Sequence, residues 1–221
     1  MNNFDVYKLL NYVVNKDVYA QAISPDEFDL ELKAKNIRHF RKRLGLPETY
    51  VPGSANEGAG TTRLTDKDLL PFLVEETKNP VNGVINISSN WYYIIDYYTA
   101  SSITADLMSI DEVSNRINNY ITKPTAQHLA AYPVKAGLRI FPATTNNVTV
   151  LFYRTPVTPH FVSSINSTTL ELEYNTVAST ELEWDDGNRM DILYMILQDM
   201  GLNIERGDVQ QMAMKLIQQG K

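Results

Sequence analysis

The sequence predicts an α+β protein in which N- and C-terminal helices form a helical bundle and an antiparallel β domain is inserted between them. Three observations predict this. A capped, amphipathic stretch runs from about 25 to 44. The region from about 80 to 179 is rich in β-branched and aromatic residues and punctuated by turn signals. Helical periodicity returns after about 190. The division that follows is 1–79 with 180–221 for the bundle, with a flexible loop at 48–64, and 80–179 for the β-rich inserted domain.

Residues 2–15 space Phe4, Leu9, Leu10, Val13 and Val14 as a short amphipathic helix does. The next helix has the clearest start in the chain. Ser24 can cap it, Pro25 suits the first helical position, and Glu27 lies three residues after the cap. Phe28, Leu32, Ile37, Phe40 and Leu44 approximate one stripe, and Gly45 and Pro47 end it. Gly and Pro at 52, 53, 58 and 60 mark the loop. A short helix is expected over 65–74, limited by Pro71. Strands are expected at 84–87, 91–99, 138–141 and 148–153, with Asn146-Asn147 as a hairpin turn between the last two. Helical character returns over 106–119, and Leu170, Leu172 and Tyr174 alternate. Ile192, Leu193, Ile196 and Leu197 mark a helix that Gly201 can end. A last stripe runs through Val209, Met212, Leu216 and Ile217.

Of the 221 residues, 43% are hydrophobic and 21% charged, enough for a real core. The formal net charge of -6 argues against a general nucleic-acid binder, because such proteins carry a basic excess. One basic run stands out: Lys33, Lys35, Arg38, Arg41, Lys42 and Arg43, which reads first as a solvated helix face. The absence of cysteine removes disulfides, thiolate zinc sites and cysteine nucleophiles, and fits a reducing compartment. No secretion signal or membrane span is expected, so the Asn-x-Ser/Thr triplets at Asn86, Asn147 and Asn166 read as chance.

Catalytic motifs fail on their chemistry. Gly53 and Gly58 have phosphate-loop spacing, but Ala59 and Gly60 stand where the lysine and hydroxyl should be. His39, His128 and His160 are far apart and lack neighbouring ligands, which predicts local packing or surface positions. Glu75-Glu76 and Asp185-Asp186 are adjacent pairs whose members do not face each other. Asp185 to Asn188 lacks the spaced ligands of a calcium loop and reads as a helix entry. The expectation is a protein with no enzymatic activity and no cofactor. The aromatic run Trp91, Tyr92, Tyr93, Tyr97 and Tyr98 has three readings: a sugar-stacking surface, a subunit interface, or a strand buried on both sides. The methionines at 195, 200, 212 and 214 read first as core fillers and second as an adaptable surface.

Several stretches resemble a known family. A short helix ending "RINN" is followed by "KPT…YP", a strand "GLRIFP" ending at Pro142, and a strand "VTVLFYRTP" carrying Tyr153, Arg154 and Pro156. Then comes "ELEWDDGNRMDILYMILQDMGLNI", an acidic-aromatic entry to a helix. The order resembles head-to-tail connector proteins of tailed bacteriophages, above all crAss-like phages, and covers about 85–221. The resemblance implies a virion structural protein, made in the host cytoplasm, that assembles as a ring of twelve copies beneath the portal. Its partners would be its own copies, the portal protein and further tail ring proteins, with DNA passing through the lumen and no membrane. Another collar or tail ring, such as a tail terminator, and a carbohydrate-binding module are the alternatives. On this reading Trp91, Tyr93, Tyr97, Trp184, Val209, Met212, Leu216 and Ile217 are candidates for a subunit or portal interface. Lys35, Arg38, Arg41 and Lys42 are candidates for non-specific phosphate contacts in the DNA channel.

Overall fold

A computed structural model describes residues 1–14, 23–46, 67–87, 90–102, 104–135 and 137–203. The fold is mixed α+β, and the chain divides into two compact units, 1–48 with 156–221 and 49–155. The loop at 48–64 and the stripe Val209, Met212, Leu216 and Ile217 lie outside the described residues.

The first unit is built from helices α1 (Asn3–Val14), α2 (Pro25–Arg43) and α4 (Asp186–Asn203), with a two-stranded hairpin, β8 (Ser163–Ile165) and β9 (Leu172–Tyr174). Helix α2 starts as its sequence dictates. The Ser24 hydroxyl accepts from the Glu27 amide while Glu27 accepts from the Ser24 amide at 3.0 Å, a closed capping box. It ends where Gly45 takes φ +61° and the Leu46 amide donates back to the Arg41 carbonyl at 3.0 Å. Helix α4 is preceded by Asp185, whose carboxylate accepts from the Asn188 amide at 2.8 Å, and it runs through Gly201 rather than ending there. It packs on both α1 and α2. Val6, Leu10, Phe28, Leu32, Phe40, Ile192 and Ile196 are buried, and Phe4, Tyr7, Phe28, Phe161 and Tyr174 form an aromatic cluster with centroids 5.1–6.4 Å apart along its contacts.

The second unit holds two sheets around one core. The first sheet has the order β1-β7-β3, with β1 (Leu73–Lys78), β7 (Val148–Arg154) and β3 (Trp91–Tyr98) all antiparallel. The second has the order β2-β6-β5-β4, formed by β2 (Val84–Asn86), β6 (Gly137–Phe141), β5 (His128–Val134) and β4 (Thr104–Leu107). Ile94, Tyr97, Val150 and Phe152 from one sheet and Ile85, Leu129, Leu138 and Ile140 from the other fill the space between them. Helix α3 (Ile110–Asn118) packs on β5 and is capped by a second box, Ser109 with Glu112.

The structure departs from the sequence reading at several points. The expected hairpin across Asn146-Asn147 does not exist: β6 and β7 lie in different sheets, and β6 instead pairs with β5. The "KPT…YP" linker contains strand β5. Its Pro133 sits beyond the residues that pair with β4, where a missing amide costs little. The β region is not wholly antiparallel, since β4 pairs with β5 in parallel. The expected helix at 65–74 is a single 3-10 helix, Lys67–Phe72, followed at once by β1. Because β1 pairs with β7, the units divide at 48/49 and 155/156 rather than at 79/80 and 179/180.

Candidate functional site: the groove between α2 and α4

Helix α2 carries two kinds of buried face. Phe28, Leu32 and Phe40 are apolar, while Asp29, Lys35, Asn36 and His39 are polar and also buried. Buried polar groups must find partners, and these find theirs far along the chain. Asn36 accepts from the Trp184 indole at 2.7 Å and donates to the Val157 carbonyl at 3.2 Å. The edge of the His39 ring meets Trp184 at 4.8 Å between centroids, and its Nε2 lies 2.9 Å from Asn188 Oδ1. Arg43 donates to the same oxygen at 2.6 Å and to Asp191 at 3.1 Å.

Lys35, expected at a DNA channel, points into the unit instead. It pairs with Asp199 and, at 3.2 Å, with Glu31. Burial works to lower its pKa, but the hydrogen bonds and charges of Asp199 and Glu31 outweigh burial and raise it. Arg38 is exposed and reaches Asp199 at 3.9 Å. Arg38, Arg41 and Lys42 recur at i, i+3 and i+4, so they share one flank of the helix. That flank forms the wall of an open groove of about 720 Å³, whose remaining lining is Ala34, Ile37, Leu46, Met195 and Gln198. The site is therefore an apolar floor with a cationic wall. Three of the four candidate phosphate contacts come together here, and Lys35 is withdrawn from them.

The candidate interface aromatics separate more sharply. Tyr97 is 1% exposed, packs in the core of the second unit and donates its hydroxyl to the Asp106 carbonyl at 2.8 Å. Burial and the neighbouring carboxylates Asp106 and Asp96 push its pKa far up, so it is a neutral core tyrosine. Trp184 is equally internal, held by Asn36 and His39. Both are core residues of a single chain rather than surface contacts. Trp91 and Tyr93 are half-buried, with Trp91 packed against the core. Irregular register at Trp91/Tyr93 and Ile94/Asp96 breaks simple alternation, and of the four tyrosines only Tyr98 is exposed. That run offers no row of open rings for a sugar.

His39 makes a testable prediction. Burial lowers its pKa most. The Asn188 hydrogen bond opposes this, the nearby Arg43 and Lys42 charges add to it, and Asp191 opposes it. With the folded pKa below the ordinary value of about 6.5, the unfolded chain binds a proton that the folded chain resists. Stability is full above about pH 6.5 and falls with acid until the folded pKa is passed, with a slope of up to about 1.4 kcal/mol per pH unit. His39→Gln should flatten this part of a stability-pH curve from urea unfolding. An unchanged slope between about pH 5 and 6.5 would refute the assignment.

Among the described residues, no group of three or more His, Asp or Glu side chains converges on a point that could hold a metal ion. No described helix is long and apolar enough to cross a membrane. The sequence reading missed the polar partners Asn36 and Asn188, whose type carried no motif. Ile37, expected on the core stripe, is half-buried and lines the groove, while Met195 is buried as a core filler should be and also reaches the groove lining. No protein-family model and no curated protein matches the chain.

Proposed function

We propose that the chain is a non-enzymatic virion protein, a head-to-tail adaptor that assembles as a ring of copies beneath a phage portal and joins it to the tail. One observation carries the reading. The order of segments from "RINN" through "GLRIFP" and "VTVLFYRTP" to "ELEWDDGNRMDILYMILQDMGLNI" resembles that of phage connector proteins. Helices from both sides of the β segment belong to one unit, α1 and α2 before it and α4 after it, which supports a helical bundle interrupted by a β domain. The bundle then contacts neighbouring copies and the portal, and the β domain meets the next tail ring. Copies placed head to tail close into a ring when the rotation between them closes.

Light scattering across concentration, with and without a candidate portal, tests this. The expected result is a ring-sized species, or a monomer that joins a larger particle only when portal is present. A chain that stays at 25.1 kDa under all conditions and ignores portal sinks the reading.

A further inference from the structure

We infer that the α2–α4 groove receives the exposed edge of α3 from a second copy of the chain. This rests on the ring reading above, because a head-to-tail ring needs two different, mutually complementary patches on every copy. The groove is one: an apolar floor of Ile37, Leu46 and Met195 beside a wall of Arg38, Arg41 and Lys42.

The other lies where β4 passes into α3. Leu107 is 41% exposed and Ile110 is 57% exposed, two aliphatic side chains turned to solvent. Asp111 and Glu112 follow directly and are also exposed. Leu107 and Glu112 line one cleft, whose single cation among the described residues, Arg116, is already paired with Asp106 at 2.6 Å. Aliphatic side chains match the groove floor, and carboxylates match its wall. Glu112 is engaged by its own cap, accepting from the Ser109 amide at 2.9 Å and hydroxyl at 2.8 Å, so the charged contact falls to Asp111. Apolar burial supplies affinity, and the opposed charges fix partner and direction. A nucleic-acid backbone fits this groove less well. It would satisfy the wall and offer no aliphatic contact to Ile37, the half-buried apolar side chain of the lining.

The chain has no cysteine, so single-cysteine variants report this contact without background. Ala34→Cys in the groove and Ile110→Cys on α3, both at exposed positions, are mixed as full chains under assembling conditions and gently oxidised. A non-reducing gel is expected to show a cross-linked dimer in the mixture and in neither variant alone. Lys42→Glu on the first chain should cut the cross-link about tenfold, and Asp111→Lys on the second should restore it. Circular dichroism and melting of each variant check that it folds. Assembled protein that gives no mixed cross-link overturns this contact and leaves the ring reading standing. Wild-type protein that never assembles overturns both. Duplex DNA that competes the cross-link away assigns the groove to nucleic acid instead and overturns the proposal.

Discussion

Gly137→Ala is expected to destabilise the β unit by at least about 3 kcal/mol, and it is the most damaging single-methyl change we foresee. Two independent costs meet at this residue. Its φ of +146° is one that side-chain-bearing residues rarely adopt. An added Cβ would also be driven into the Ile85 carbonyl oxygen and would lie 2.8 Å from the Ile87 amide nitrogen. Both are backbone atoms of the β2 segment, so no rotamer change relieves the clash. Relief requires β2 to move off β6, which breaks the register Val84–Arg139, Ile85–Leu138 and Asn86–Gly137 and uncovers Ile85 and Leu138. Urea unfolding measures the loss. A variant within about 0.5 kcal/mol of the parent would show that the β2–β6 contact is not held as described.

Asp29→Ala is expected to cost the helical unit about 2–4 kcal/mol, and Asp29→Asn rather less. The Asp29 carboxylate is nearly buried and gathers three donors, two from the distant segment 160–161 and one from the next turn of its own helix. The Phe161 amide donates at 2.7 Å, His160 Nδ1 lies at 3.1 Å and Lys33 Nζ donates at 2.5 Å. Truncation leaves the Phe161 amide buried with no acceptor. Burial alone would raise the carboxyl pKa, but the hydrogen bonds from Lys33, Phe161 and His160, with the Lys33 charge, outweigh it and hold the pKa below the ordinary carboxylate value. The depressed folded value means that this stabilisation is present above the unfolded pKa of about 3.9 and is lost as pH falls through the folded one. The gap in stability between the parent and Asp29→Asn should therefore be full above about pH 5 and narrow progressively as pH falls below about 3.9. Parallel stability-pH curves would refute the role of the ionised carboxylate. The window lies well below that of His39, so the two contributions can be measured separately.

What could be read in advance divides along the range of the forces involved. The α2 boundaries were legible because capping chemistry is local: Ser24, Pro25, Glu27 and Gly45 each act within a few residues. Strands β3, β6 and β7 were legible from β-branched and aromatic runs. Strand β5 was hidden by Pro133, and the partnership of β6 was misread because Asn146-Asn147 is a turn signal that does not say which strands it separates. The candidate site was half legible. Arg38, Arg41 and Lys42 were visible as a cluster, but the inward course of Lys35 depends on Asp199, 164 residues away. Tyr97 and Trp184 read from sequence as interface candidates as readily as core residues, because aromatic composition is shared by cores and interfaces. Only tertiary burial distinguishes the two.

The division of the chain into a continuous β unit and a discontinuous helical one sets an order of events on the ribosome. Residues 49–155 can pair their strands as soon as they have emerged, since every partner of β1 through β7 lies within that span. Helices α1 and α2 have no such option. Tyr7 covers part of Phe28 early, but Phe28 and Phe40 gain the rest of their aromatic cover only after Phe161 and Trp184 have been synthesised. At ordinary translation rates this leaves an apolar flank uncovered for on the order of ten seconds, a period in which a chaperone or a neighbouring nascent chain competes with α4 for the same surface.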